Sequence, residues 1–311
     1  MSTARTVAEH SRHSSRAAIA SVGVALTLLI AKAWAAYVTS STAMLGSLAD
    51  TALDVIASLT TLAGVRIAAV PADHDHRFGH GKAEALVSLA QVALISISAV
   101  GIGWRAVDRL ANGAHTEALE SGILVSVLAI VMTFGLLWYQ QRVIARTGSV
   151  AIKTDNIHYK SDLMLNGAVI VALILDQAVR ISGADAAFGI AIALWLGWGA
   201  YRASSEAVHQ LMDREWPQQE RQAFLDAAAQ YEELRGLHDM RTRKSGTLRF
   251  VQFHVWVPAH WTVQEAHDRL DRVEEALQDR FPDTEILIHV DPEGQTDRET
   301  LLPQEITEQA S

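Results

Sequence analysis

Six stretches of this chain, at about 17–38, 43–68, 84–107, 119–142, 158–180 and 185–203, are apolar over the length a helix needs to cross a bilayer. That length is about 20 residues. Hydrocarbon offers no hydrogen-bond partner to a bare peptide group, so only helices and closed barrels can span it. Runs this long and this apolar select helices. The expected fold of the first part is therefore an all-α membrane bundle of six helices.

No comparable run follows residue 203, and the charge changes there too. Residues 1–203 hold 15 Lys+Arg against 13 Asp+Glu, whereas residues 204–311 hold 11 against 22. The expected organisation is an N-terminal segment over 1–16, a membrane domain over 17–208, an acidic domain over 209–292 and a disordered tail over 293–311. The run 17–38 exceeds the apolar core of a cleaved signal peptide and is read as a retained first helix. Nine Lys/Arg (Arg5, Arg12, Arg16, Arg66, Arg77, Lys82, Arg142, Arg146, Lys153) fall on one side of the six spans. Three (Arg105, Arg109, Arg180) fall on the other. The positive-inside rule then puts both termini in the cytoplasm.

Ionisable residues inside the apolar runs carry the chemistry. Asp50 and Asp54 lie in SLADTALD, and His158 and Asp162 in HYKSDLML. A spacing of four puts each pair on one helix face. Three aspartates at bilayer depth cost on the order of 8–10 kcal/mol on insertion scales unless a charge compensates them. A shared divalent cation is that charge. Three oxygens and one nitrogen suit tetrahedral Zn²⁺, and less selectively Cd²⁺, Fe²⁺ or Mn²⁺. The bland alternative is four separately satisfied polar residues or a proton relay. Lys32 and Lys160 are expected to snorkel or to pair with a carboxylate.

The chain has no cysteine, which excludes disulfides and thiolate metal sites, but it has 13 histidines. The loop PADHDHRFGHGKAE gathers Asp73, His74, Asp75, His76 and His80. Asp73, His76 and His80 are the candidate ligands of a second metal there.

The acidic part reads helix, strand, strand, helix, strand. Pro217 starts a helix over 217–232. Strands follow at 237–243 and 248–257 across a turn at Ser245-Gly246. A capping box from Thr262 to Glu265 starts a helix over 263–280. The last strand covers 285–290. This order predicts an α+β sandwich with an antiparallel sheet, like ferredoxin-like metallochaperone domains. Val251, Phe253, Val255 and Val257 alternate toward one face, and His254 takes the other. His238, His254, His267, His289 and Asp291 form a third candidate metal cluster.

These motifs together resemble the cation diffusion facilitator family, its bacterial zinc and ferrous-iron efflux branch in particular. The resemblance runs from about residue 15 to 292. It rests on SLADTALD, PADHDHRFGHGKAEAL, HYKSDLMLNG, HDMRTRKSG, RFVQFHV, the helix carrying His267, and FPDTEILIHVDP, in that order. It implies a homodimer in the bacterial inner membrane, with six transmembrane helices and a cytoplasmic ferredoxin-like domain per protomer. Asp50, Asp54, His158 and Asp162 would form the transport site, and Asp73, His76 and His80 the loop site. The His238, His254, His267, His289 and Asp291 cluster would lie at the dimer interface. Lys82 and Asp213 match a charge pair that holds the family's dimer at the membrane–cytoplasm junction. Asp75 replaces a commoner neutral residue. The His-rich insert of eukaryotic zinc members is absent.

The resemblance implies metal efflux by proton antiport and no prosthetic group. The partners expected are lipid, the transported metal and H⁺, and a second copy; no nucleic acid is expected. Enzymatic activity is not expected, because a hydrolase would need a general base beside an open metal position, and no extra acid accompanies the quartet. The alternative is a membrane-anchored metal sensor or scaffold without transport. It leaves the buried quartet without a purpose.

Overall fold

A computed structural model describes residues 2–39, 42–112, 123–179 and 184–293. The tail expected to be disordered lies outside them, apart from Glu293. The chain forms two compact units, His10–Val208 and a second made of residues 1–9 with 209–311.

The larger unit holds helices α1 (Ser2–Thr39), α2 (Thr42–Ala68), α3 (Ala83–Asn112), α4 (Ile123–Thr147), α5 (Val150–Val179) and α6 (Ala184–Leu211). The first begins at Ser2, well ahead of the apolar run. Among the described residues, windows in α1 to α4 are long and apolar enough to cross a membrane: Ala8–Val38, Ser47–Ala68, Ala83–Asp108 and Val127–Thr147. Helices α5 and α6 occupy the places of the fifth and sixth expected spans, with 30 and 28 residues. The unit is a helical transmembrane domain.

Small residues set the helix spacing. A Cβ on Gly64 of α2 would lie 2.4 Å from Val87 Cγ2 of α3, and one on Gly189 of α6 2.9 Å from the Ala106 Cβ of α3. Backbones approach there only because the side chain is missing. Helices α4 and α5 are joined almost without a loop. Gly148 takes φ +61° and closes α4 by donating its N–H to the Ile144 carbonyl. Ser149 then caps α5, its Oγ accepting the Ile152 N–H at 3.3 Å and donating to Glu84 Oε2 at 2.6 Å. These caps fix where α5 begins, and so the height of every polar residue on it.

The second unit contains α7 (Gln218–Ala228), a 3-10 turn (Glu232–Leu234), β1 (His238–Ser245), β2 (Leu248–Val257), α8 (Val263–Arg280) and β3 (Thr284–Pro292). It is an α+β domain. The expected helix over 217–232 stops at Ala228, before the separate 3-10 turn. Helix α8 has the expected bounds, and both bonds of its Thr262–Glu265 capping box are present. The sheet order is β1-β2-β3, with β1 antiparallel and β3 parallel to β2. The sheet is thus mixed, not antiparallel as expected. A two-residue turn reverses β1 into β2, with Gly246 at φ +61°. The 18 residues of α8 instead carry the chain back along the sheet, so β3 starts beside the start of β2.

Val251, Phe253, Val255 and Val257 pack inward as their alternation predicts, with Phe224, Met240, Leu270, Val273, Leu277 and Ile286. Gly236 is required by geometry, for it sits at φ +73° and a Cβ there would lie 2.6 Å from Trp256 Cε3. The opposite face of β2 is left to His254 and Trp256.

Candidate metal centres

Helices α2 and α5 pack together and bring Asp54, His158 and Asp162 to one point. His158 Nε2 lies 3.0 Å from Asp54 Oδ1 and 3.9 Å from Asp162 Oδ2. One donor atom from each of the three falls within 4.8 Å of the others. Asp50 stays outside this group and is exposed, one turn from Asp54 on the same helix. Three of the four residues expected at this centre are therefore brought together. Asn166 Nδ2 donates to the Asp162 carbonyl at 2.8 Å, bracing the helix beside the site. Lys32 bonds a hydroxyl rather than a carboxylate, reaching Thr51 Oγ1 at 2.6 Å. An ammonium in apolar surroundings takes the acceptor within reach, and Thr51 is on the facing helix.

One residue of this region was missed from sequence. Asp155, three residues before His158, is fully buried. Its Oδ2 accepts from Ser21 Oγ and from Gln140 Nε2, each at 2.7 Å. Its Oδ1 accepts from Thr61 Oγ1 and Gln91 Nε2, each at 3.3 Å. A heptad separates Asp155 from Asp162, which puts it on the same stripe of α5. That spacing was the available signal.

The loop between α2 and α3 brings Asp73, His76 and His80 together. Asp73 Oδ1 accepts the His76 N–H at 2.7 Å and the Asp75 N–H at 3.0 Å, folding the loop around one carboxylate. The imidazoles lie 3.3 Å (His76 Nδ1) and 3.4 Å (His80 Nε2) from Asp73 oxygens. The His76 N–H, more than that of Asp75, holds the Asp73 carboxyl below its ordinary value of 3.8. It is ionised and able to ligate across the physiological range. His74 and Asp75 face each other at 3.5 Å, exposed and outside the group.

In the sheet, strand register does the assembly. His238 pairs with His254 and His254 with His289, one histidine per strand in a row. Asp291 sits at their centre, 2.9 Å from His254 Nδ1, 3.3 Å from His238 Nε2 and 3.5 Å from His289 Nε2. The Gly236 carbonyl is 2.8 Å from His238 Nδ1. A carbonyl only accepts, so the Nδ1 proton is held there and Nε2 is left with its lone pair toward the cluster. His267 does not join; it lies on α8, 3.1 Å from Asp271. Helix α8 packs Leu270, Val273 and Leu277 against the Val251, Phe253 and Val255 face of the sheet, opposite the histidine row, and cannot deliver it. Asp239 forms a group with His238 and His254 and was not anticipated. It sits in a register shift of β1 at φ +49°, and an irregular strand breaks the alternation from which faces are read.

Of the expected Lys82–Asp213 pair, each residue falls in a different unit. Asp213 Oδ1 is 3.7 Å from Arg243 Nη1 within its own unit.

Residues 18–212 match the model of the cation efflux transmembrane domain, and residues 216–293 that of the cation efflux protein cytoplasmic domain. The chain is 42% identical to the cation-efflux pump FieF of Cronobacter sakazakii over 284 residues, covering 91% of this chain and 94% of that one. It is 40% identical to the FieF pump of Klebsiella pneumoniae over 278 residues, covering 89% and 92%. A solved CzrB structure in a zinc form is 37% identical and covers 28% of this chain and 99% of that one, at a TM-score of 0.25.

Proposed function

Because this chain belongs to the cation efflux (cation diffusion facilitator) family, we propose that it exports Zn²⁺ from the cytoplasm in exchange for protons. As a family member it is a metal cation efflux transporter with transmembrane helices, not an enzyme. The finer reading concerns the ion, the coupling and the residues.

The observation that carries it is the meeting of Asp54, His158 and Asp162 between two helices. A divalent ion placed among them replaces the His158–Asp54 hydrogen bond with two metal–ligand bonds. Ligands must be deprotonated, so metal entry expels protons and proton entry expels metal. With the site facing the cytoplasm, metal displaces protons; facing outward, protons displace metal. Imidazole supplies a ligand nitrogen that can carry the exchanged proton. It also favours zinc over manganese by ligand softness, with Fe²⁺ and Cd²⁺ as competing ions. Asp50, one turn along α2, is the fourth ligand once the helices close on the ion.

The inner membrane is the expected location, with both termini cytoplasmic by the charge of the loops. The loop cluster and the sheet cluster bind metal on the cytoplasmic side. There the ion draws two acidic domains of a homodimer together, which like charge would otherwise hold apart. His267, apart from its own chain's cluster, lies at that dimer interface.

The test is metal uptake into proteoliposomes under an imposed pH gradient, comparing Zn²⁺, Fe²⁺, Mn²⁺ and Cd²⁺. Gradient-dependent Zn²⁺ flux that disappears in Asp54→Ala supports the reading. Flux that survives the substitution sinks the site, and flux indifferent to the gradient sinks the antiport.

A further inference from the structure

Asp155 is buried deeper than any residue of the neighbouring site, yet the exchange of metal for protons does not use it. Its four donors come from four other helices: Ser21 on α1, Thr61 on α2, Gln91 on α3 and Gln140 on α4. All five residues are at most 1% exposed. The donors are two hydroxyls and two amides, and among the described residues no Lys or Arg forms an ion pair with the carboxylate. Gln140 also donates to Ser21 Oγ at 3.0 Å and accepts from Asn156 Nδ2 at 3.0 Å. Four N–H or O–H groups are aimed at the two oxygens, as a carboxyl group that accepts would require; the Thr61 hydroxyl also reaches the Ala57 carbonyl at 3.1 Å.

Position gives this knot a use. Asp155 precedes His158 by about 4.5 Å of helix rise, toward the α5 terminus at Val150. That terminus lies at the end of the bundle read above as cytoplasmic. The Asp54 and Asp162 side chains are 21% and 30% exposed, whereas Asp155 is sealed. We propose that Asp155 is the positioning residue of a cytoplasmic-side closure: one carboxylate ties α1, α2, α3 and α4 to α5 and shuts the approach to the metal site from that end. Opening toward the cytoplasm requires these bonds to part. Alternation then exchanges one set of hydrogen bonds around one carboxyl group for water. The inference rests on the transport reading for its purpose, but the closure itself is measurable without transport.

The absence of cysteine makes the measurement direct. Ala18, fully buried near Ser21 on α1, and Ala36, 6% exposed toward the other end of the same helix, are each replaced by Cys in the full chain. Labelling by a membrane-impermeant maleimide is followed in vesicles of both orientations. Three backgrounds are compared with the parent: Ser21→Ala, Gln140→Met and Asp155→Asn. The two milder variants remove donors only, so the test stands even where Asp155→Asn fails to assemble. The expected result is a rise at position 18 of roughly threefold to tenfold per hydrogen bond lost, largest in Asp155→Asn. Labelling at position 36 should hold or fall. Equal acceleration at both positions would mean a bundle that is merely loosened, and would overturn the closure. No change at position 18 in any background would overturn it too. Zn²⁺ flux in the same vesicles separates the two ideas: graded labelling without parental flux would remove the carrier and leave the closure.

Discussion

Replacing His158 by Asn tests the coupling at its source. In the structure Nε2 of His158 is the atom that meets Asp54, at 3.0 Å, and the same atom is needed to hold the metal. A proton there and a metal there exclude each other. Over the range in which His158 is protonated, each unit of acidification should weaken metal capture by about tenfold, since one pKa unit corresponds to 1.36 kcal/mol. Asparagine keeps a polar side chain, though one too short to reach the Nε2 position, and carries no proton to release. The slope of log KM for Zn²⁺ flux against pH should therefore fall by about one in His158→Asn, in proportion to the one proton lost from the linkage. The carboxylates Asp54 and Asp162 keep their share of the linkage. The assay is initial Zn²⁺ uptake into proteoliposomes across a series of internal and external pH values. Flux KM is the right quantity, because the loop and sheet clusters would dominate equilibrium binding. A variant that still transports with an unchanged slope would refute the reasoning, for the exchanged proton would then reside elsewhere.

Two further outcomes follow from the second unit. Asp291 bridges three imidazoles, so Zn²⁺ at a hundredfold excess over Kd should stabilise the domain by about 2.7 kcal/mol; Asp291→Ala should abolish that gain in urea unfolding of the full chain. Thr262→Ala should cost about 1 kcal/mol by removing the cap of α8. The partner Glu265 has its carboxyl held below its ordinary 4.5, first by the Thr262 N–H. That N–H survives the substitution, but the Thr262 hydroxyl that donates to Glu265 Oε2 at 3.0 Å does not; its share is present above 4.5 and lost as pH falls through the lowered folded value, so the difference between parent and variant should shrink on acidification.

Local pattern announced most of the fold. The i,i+4 pairs put Asp54 on one helix face and His158 with Asp162 on another, and helix packing was then enough to join them. The capping box fixed the start of α8, and alternation fixed the buried face of β2. What stayed hidden depends on partners far apart in sequence. Asp155 is one acid among several until helices from residues 21, 61, 91 and 140 each aim a donor at it. The parallel pairing of β3 follows from the path of α8, to which side-chain periodicity is blind. Asp239 escaped because it sits where β1 loses its register. His267 shares a residue type with the sheet cluster but stands on an element that cannot reach it.

The order in which the strands are made gives the histidine row a further property. Its three imidazoles come from β1, β2 and β3, but Asp291, which joins them, lies in the last described strand. During synthesis β1 and β2 can close as a hairpin early, whereas β3 must wait for a whole crossover helix and then pair over a long stretch of chain, a slow step. A nascent or truncated chain that stops short of β3 has two of the imidazoles with Asp239, but neither His289 nor Asp291. Were a metal to load the full row, its presence would mark a chain whose synthesis has passed residue 291 and whose sheet is closed.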